Sequence, residues 1–287
     1  VMSGTQDIVL ASGIESMTRV PMGSVATLFI KEGLGHYKSE RLEEKYPGIM
    51  FSQFMGAEMI VKKHGFSKDD LDAYAFESHR RAKEATEAGR FEREIVGLDI
   101  DTPEGRQTHL VDEGIRFDAT LEGIAGVKLI NEGGTLTAAS SSQICDGSSA
   151  ALVVSEEALK RYNLTPLARF VSYASRGVPP HIMGIGPIEA IPAALKYAGL
   201  SQNDIDWYEL NEAFAAQSLA VLNTLGLDPA KVNPMGGAIA LGHPLGATGA
   251  IRSATVVHAL QRHHKKYGMV TMCVGMGQGA AGIFERV

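Results

Sequence analysis

The chain has 287 residues, of which 45% are hydrophobic and 21% charged, as in globular proteins rather than disordered or fibrous ones. There are 27 Lys and Arg against 33 Asp and Glu, a net charge of −6, without a basic cluster that would indicate nucleic-acid binding. No apolar run approaches the roughly 20 residues that span a bilayer, and two cysteines are too few for a disulfide framework.

We therefore expect small-molecule partners or further copies of the chain, with no nucleic acid and no membrane. The low cysteine count favours a reducing compartment, the cytoplasm or the inside of an organelle. Residues 1–7 lack Met at position 1 and resemble no signal peptide, and residues 8–11 predict a short, fully buried strand. A chain that opens almost at once into a core strand is expected to continue upstream.

The first half of the chain predicts loops and one long helix. Residues 19–52 show no sustained period and are predicted as loops, and residues 92–137 as short strands between charged turns. Ser67 and Asp70 have the spacing of a capping box, and apolar residues follow at helical spacing up to Gly89. The charged face of this helix, which includes His79, is interpreted as solvated, with a site near a phosphate-bearing ligand as the alternative.

The second half alternates strands and helices, which predicts a layered α/β domain. The predicted strands are 147–154, with a buried end, 167–174, 205–209, 268–274 and 280–286. Helices are predicted from Ser155 onward, over 187–198 from Pro187 to Gly199, over 212–225 before Gly226, and over 247–265.

The sequence contains no complete motif for binding a nucleotide or a metal ion. Residues 277–282 fit G-x-G-x-x-G, but too few residues follow for the helix and acidic residue of a dinucleotide site. A P-loop, C-x-x-C and H-E-x-x-H are all absent. We expect no metal and no bound cofactor.

Three segments concentrate unusual residues where strands or loops meet helices or turns, namely 209–217, 236–249 and 272–279. Taken alone, each candidate has an ordinary structural explanation. His243 would be a histidine held in a turn, Cys273 a buried small hydrophobe, and Asn211 a helix N-cap. Cys145 precedes an Asp-Gly turn and is interpreted as structural. Together, however, a thiol, an imidazole and an amide are the groups that acyl transfer through a thioester requires.

Five segments in order closely resemble the signature motifs of thiolases: 13–17 (GIESM), 134–138 (GTLTA), 211–214 (NEAF), 236–244 (GGAIALGHP) and 273–277 (CVGMG). The resemblance covers essentially the whole chain. It implies a layered α-β-α-β-α fold whose first half is incomplete in this chain. The implied domains are a remnant of the N-terminal thiolase domain (1–18), a loop domain covering CoA (19–141), a return segment of the N-terminal domain (142–164) and the C-terminal thiolase domain (165–287).

The resemblance also implies catalytic roles. His243 would be the base that activates a nucleophilic cysteine, and with a water held by Asn211 would form an oxyanion hole for the thioester oxygen. Cys273 would be the acid/base at the α-carbon of acetyl-CoA, and the Gly275 N–H would stabilise the acyl-enzyme oxyanion. No residue corresponds to the nucleophile, so we expect little turnover from residues 1–287 alone.

For CoA, which would be a substrate rather than a cofactor, the resemblance implies contacts near the pantetheine arm and apolar walls. The residues are Ala138, Ser142, Met55, Met183, Ala213 and Phe214. Phe54 stands where many members have histidine. This departure favours the degradative 3-ketoacyl-CoA type over the biosynthetic one.

The leading hypothesis is therefore a thiolase that cleaves 3-ketoacyl-CoA to acetyl-CoA and a shortened acyl-CoA, as in β-oxidation of fatty acids. Alternatives are a non-catalytic thiolase-fold protein that binds acyl-CoA or lipid, and a biosynthetic acetoacetyl-CoA thiolase. Family resemblance implies a homodimer or homotetramer.

Overall fold

A computed structural model describes residues 1–35 and 38–287. The helices are α1 (Ser24–Lys31), α2 (Glu40–Lys45), α3 (Gln53–His64), α4 (Lys68–Glu87), α5 (Leu121–Ala125), α6 (Glu156–Tyr162), α7 (Gly186–Ala198), α8 (Ala215–Leu225), α9 (Ala238–Leu241) and α10 (Thr248–Arg262). The strands are β1 (Ile8–Ser16), β2 (Leu98–Thr102), β3 (Gly105–His109), β4 (Asp146–Val154), β5 (Ala168–Gly177), β6 (Trp207–Leu210), β7 (Tyr267–Val274) and β8 (Gln278–Arg286).

The long helix α4 begins as its capping residues predict. The Ser67 side chain accepts from the Asp70 N–H, and the Asp70 carboxylate accepts from the Ser67 N–H at 2.8 Å. Gly199 and Gly226 lie directly after α7 and α8 in the left-handed conformation, at φ 67° and 62°. Both glycines end their helices because a residue without Cβ adopts that conformation without strain.

A four-stranded sheet in the order β5-β8-β7-β6 forms the centre of the C-terminal unit. β6 and β7 are parallel, and β8 is antiparallel to both of its neighbours. Both faces of the sheet are covered. Ile191 of α7 and Val221 of α8 pack in an apolar cluster on one face, and Val256 and Leu260 of α10 pack in another cluster on the opposite face.

The ribbon β1–β4 lies on the other side of α10. The layers therefore run α7 and α8, the four-stranded sheet, α10, and the ribbon, which agrees with the predicted layered α/β class. The predicted burial of the two ribbon strands is wrong. Leu10 is 65% exposed, Ile8 41% and Leu152 56%, because no further layer packs on the outer side of the ribbon within the described residues.

Two other expectations for the chain are corrected. Residues 19–52 contain the helices α1 and α2, which are short and lacked a readable period. The helix predicted from residue 212 begins at Ala215. Of the three preceding residues, Glu212 accepts hydrogen bonds from α4 and α9, Ala213 accepts from the Ser142 N–H, and Phe214 packs on Phe54.

Candidate active site

Parallel pairing brings two of the unusual segments to one edge of the sheet. β6 leads into Asn211 and β7 ends at Val274, and parallel strands place their carboxyl ends on the same side. The segment from Ser140 to Ser142 runs beside the β6–α8 loop, where the Ser142 N–H donates to the Ala213 carbonyl at 3.0 Å.

His243 lies in the turn between α9 and α10, after Gly242 at φ 86°. Its Nδ1 is 2.7 Å from the Thr248 hydroxyl, and that hydroxyl lies 2.9 Å from the Pro244 carbonyl. A carbonyl only accepts, so the hydroxyl donates to Pro244 and accepts from an Nδ1–H of His243. This tautomer leaves a lone pair on Nε2, which faces the Asn211 Nδ2 at 3.3 Å.

Burial lowers the pKa of His243 to about 4, with a further contribution from the positive charge of Arg252. The imidazole is therefore neutral at neutral pH and available as a base. Arg252 is itself buried, and its Nη1 lies 3.3 Å from the carboxylate of Glu209. This ion pair keeps a cation behind the histidine without exposing it to solvent.

Asn211 is fully buried, and its backbone N–H donates to the Thr271 carbonyl at 2.9 Å. The interpretation of Asn211 as a helix N-cap is wrong, because Phe214 occupies that position. Among the described residues its Oδ1 has no hydrogen-bond partner. The amide thus directs one polar group to His243 and retains a free acceptor in a buried place.

Cys273 is buried near the end of β7, in an apolar cluster with Ala213, Phe214 and Ile239. Burial raises the pKa of its thiol to about 12, so the group stays protonated at neutral pH. Gly275 follows in the exposed turn to β8, and open space surrounds the position where its Cβ would be.

A cavity of about 790 Å³ opens beside His243. It has the size of a site for a drug-sized ligand or for part of a larger one. Four of the predicted CoA contacts line it, namely Ala138, Ser142, Ala213 and Phe214. Met55 is half exposed on α3, and Met183 packs on the apolar cluster around Cys273, so neither belongs to the lining.

The cavity is also lined by groups that the sequence did not single out as cavity residues. His79 is only 5% exposed and lines the cavity with Arg116, whose N–H donates to the His79 Nδ1 at 3.2 Å. The prediction of a solvated His79 is wrong because segment 114–119 lies over this turn of α4.

Gln143 also lines the cavity, and its side-chain amide donates to three carbonyls, those of Gly114 (2.7 Å), Ile239 (2.8 Å) and Ala240 (3.1 Å). These hydrogen bonds connect α9 to the segment that contains Gly114. The neighbour of Gln143, Cys145, is half buried, and a Cβ on Gly242 would lie 2.4 Å from its Sγ. Burial raises the pKa of Cys145, which agrees with the structural interpretation of this residue.

Residues 1–35 and 38–287 contain no group of three or more His, Cys, Asp or Glu placed to hold a metal ion. Of the helices in those same ranges, none is both long and apolar enough to cross a membrane.

Comparison with protein families matches residues 1–157 to the N-terminal domain of thiolase and residues 164–286 to its C-terminal domain. The chain is 42% identical over 297 residues to the 3-ketoacyl-CoA thiolase of Bacillus subtilis, covering 99% of this chain and 73% of that protein. It is 43% identical over 293 residues to the peroxisomal 3-ketoacyl-CoA thiolase B of Rattus norvegicus, covering 99% of this chain and 67% of that protein.

The fold is also similar to solved structures. The crystal structure of human mitochondrial 3-ketoacyl-CoA thiolase matches with a TM-score of 0.87 and 39% identity, over 98% of this chain and 72% of that one. A crystal structure of the same human enzyme in complex with CoA matches with a TM-score of 0.84, over 98% of this chain and 71% of that one.

Proposed function

The chain belongs to the thiolase family of acyltransferases, and from that premise we propose that it acts in thiolytic cleavage of 3-ketoacyl-CoA to acetyl-CoA and a shortened acyl-CoA, as in fatty-acid degradation. The observation that carries the proposal is a neutral His243 whose Nε2 meets the Asn211 amide at the wall of a large cavity. The names of the relatives support the choice of substrate.

In this reaction the thiolate of a nucleophilic cysteine attacks the 3-keto carbon of the substrate, and the bond between C2 and C3 breaks. The electron pair passes to the enolate of acetyl-CoA, which takes a proton, and the acyl group remains on the attacking sulfur as a thioester. The thiol of CoA then attacks that thioester and releases the shortened acyl-CoA. Each half of the reaction needs a base for a thiol and donors for an oxyanion.

We assign these roles to the site residues. His243 takes the proton of the attacking thiol through Nε2, since Nδ1 donates to Thr248. His243 and a water held by Asn211 together form the oxyanion hole for the thioester oxygen. Cys273 protonates the enolate, a role suited to a thiol that burial keeps protonated. The exposed backbone N–H of Gly275 stabilises the oxyanion of the acyl-enzyme.

CoA itself is proposed as a substrate in the cavity lined by Ala138, Ser142, Ala213 and Phe214. One of the human thiolase structures contains CoA, which supports this choice of ligand. Phe54 lies against Phe214, with ring centroids 5.5 Å apart, and makes this end of the cavity apolar. Met55 and Met183 are proposed to support the wall from behind.

We propose the domain division 1–18, 19–141, 142–164 and 165–287 given above, and a homodimer or homotetramer that light scattering would distinguish. Both cysteines are free, which supports a reducing compartment such as the cytoplasm. The relatives come from bacteria, peroxisomes and mitochondria, and so leave the compartment open.

The test is a thiolysis assay with 3-ketoacyl-CoA and CoA, applied to the protein that carries residues 1–287. We expect His243→Ala to lower kcat by about 10²–10⁴-fold, and Asn211→Ala by about 10²–10³-fold. His264→Asn is the matched control, since His264 is exposed at φ 51°, a conformation that asparagine tolerates. Unchanged rates in the first two variants would contradict the assignments.

Isothermal titration calorimetry with CoA measures binding independently of thiolysis. If the protein binds CoA but shows no thiolysis, the non-catalytic alternative holds. If it condenses acetyl-CoA but does not cleave longer 3-ketoacyl-CoA, the biosynthetic alternative holds. Acylation of Cys145 by acetyl-CoA, seen by mass spectrometry, would overturn its structural interpretation.

A further inference from the structure

We infer that Glu212, as a carboxylate, is the positioning residue that holds Asn211 and His243 in the geometry the reaction needs. The inference deepens the proposed function and rests on it for its kinetic consequences. Glu212 directly follows Asn211 in the β6–α8 loop and is almost completely buried. Glu212 takes part in no chemical step of the proposed reaction.

The Glu212 carboxylate accepts hydrogen bonds from four groups in three parts of the chain, namely α4, the segment before α9 and α9 itself. Its Oε1 accepts from the Asn233 Nδ2 at 2.9 Å and from the Tyr74 hydroxyl at 3.2 Å. Its Oε2 accepts from the Ser78 hydroxyl at 2.7 Å and from the Ile239 N–H at 3.1 Å. Within residues 1–35 and 38–287 no Lys or Arg forms a salt bridge with it. Neutral donors therefore replace the water that burial removes.

Two of these donors have no freedom to become acceptors. The Ile239 N–H is a backbone group, and it faces Oε2. The Asn233 amide, which faces Oε1, is fixed by a reciprocal pair with β6, in which its Oδ1 accepts from the Leu210 N–H and its Nδ2 donates to the Leu210 carbonyl, both at 2.8 Å. Each oxygen thus meets one fixed N–H, so a glutamine amide would oppose a donor in either orientation.

The carboxylate connects these contacts to both catalytic groups. Ile239 belongs to α9, which leads through Gly242 to His243. The backbone of Gly237 passes so close that a Cβ there would lie 2.1 Å from the Glu212 Cδ. The Gly237 N–H also donates to the Ser78 hydroxyl at 3.1 Å, so Ser78 links it to the carboxylate. One side chain therefore fixes the loop of Asn211 against the segment that delivers His243.

The experiment compares Glu212→Gln with Glu58→Gln. Glu58 is a suitable control because both of its backbone donors, the N–H groups of Thr135 and Leu136, converge on one oxygen, Oε1, at 2.8 and 3.0 Å. A glutamine carbonyl satisfies both. The first readout is the ¹⁵N spectrum of the His243 ring in the 287-residue chain, which reports the tautomer and the Nε2 hydrogen bond without any turnover.

We expect Glu212→Gln to change the Nε2 signal of His243 in the same direction as Asn211→Ala, while Glu58→Gln leaves it unchanged. An unchanged His243 signal in a folded Glu212→Gln protein would overturn the inference. Because this readout needs no catalysis, its failure is distinct from a failure to observe thiolysis, which would contradict only the proposed function.

The second readout is kinetic. We expect Glu212→Gln to lower kcat by about 10²-fold, the scale of a small misplacement of reacting groups, with the KM for CoA changed by less than about threefold. In a protein that already carries Asn211→Ala, Glu212→Gln should lower kcat by less than about a further threefold. The reason is that both substitutions disturb the same arrangement of Asn211 and His243. Fully multiplicative losses, or a loss confined to KM, would contradict a positioning role.

If Glu212→Gln fails to fold, Tyr74→Phe and Ser78→Ala remove single donors from the same carboxylate. Each should shift the His243 signal in the direction that Asn211→Ala shifts it. Each should also lower kcat by roughly three- to tenfold, the scale of one ordinary hydrogen bond, because three donors still hold the carboxylate. Folded Tyr74→Phe and Ser78→Ala proteins with an unaltered signal and kcat would equally overturn the inference.

Discussion

The four-stranded sheet and the β1–β4 ribbon flank the same helix, α10, yet only the sheet is enclosed. All four residues of β6 are buried, whereas most side chains of β1 are exposed although its first residues are just as apolar. Among residues 1–35 and 38–287, the sheet has helices on both faces, whereas the ribbon has a helix, α10, on one side only. An apolar run thus determines that a strand forms, while the neighbouring layers determine whether that strand is buried.

The largest expected effect tests this contrast with one substitution on each side of α10. Leu260→Ala removes a fully buried side chain from the cluster between α10 and the sheet. It should lower the free energy of unfolding by about 2–5 kcal/mol. Leu152→Ala on the exposed ribbon should change it by less than about 0.5 kcal/mol. Chemical denaturation measures both, and equal costs would mean that the ribbon is as well packed as the sheet.

The second prediction compares two acidic residues, Glu94 beside α10 and Asp146 in the β1–β4 ribbon. Burial raises the pKa of Glu94 to about 7 from 4.5, so its cost to stability appears as pH rises from 4.5 and is complete above about 7. Glu94→Gln should therefore stabilise the protein at pH 8 by on the order of 1 kcal/mol, and by almost nothing near pH 4.

Asp146 at the start of β4 should behave in the opposite way. Hydrogen bonds from the Thr18 hydroxyl and N–H, at 2.6 and 2.9 Å, lower its pKa. Its contribution is present above the unfolded pKa of 3.8 and is lost as pH falls through the lower folded value. Asp146→Asn should thus reduce stability at neutral pH and have no effect in strong acid. Denaturation curves across pH that shift in the same direction for both variants would contradict the assigned causes.

The smallest expected effect concerns Cys145, which joins the ribbon to the active-site turn. Its Sγ packs against Gly242, and serine has nearly the same shape. Cys145→Ser should change the free energy of unfolding by less than about 0.5 kcal/mol and leave the His243 spectrum unchanged. A change of about 2 kcal/mol or more would show that the thiol carries a polar contact that serine disrupts.

Several helix ends in both halves of the chain were predictable from local signals. The capping pair Ser67 and Asp70 and the glycines after α7 and α8 mark helix ends through backbone geometry, which acts within a few residues. By contrast, α1 and α2 were not predicted, because no sustained apolar period identifies these short helices, although Ser39 caps α2. The candidate catalytic residues came from the resemblance of long motifs to thiolases, since each residue alone had an ordinary structural explanation.

What the sequence determined by itself was the α/β class, the family and the identity of the catalytic candidates, because these depend on order and spacing along the chain. Only the tertiary structure decided that His79 is buried, that Asn211 faces His243, and that Glu212 gathers four donors. Tyr74, Ser78, Asn233 and Ile239 lie up to 138 positions from Glu212. Contacts between such distant residues depend on how the layers pack against one another. That packing cannot be inferred from the pattern of residues that are neighbours in the sequence.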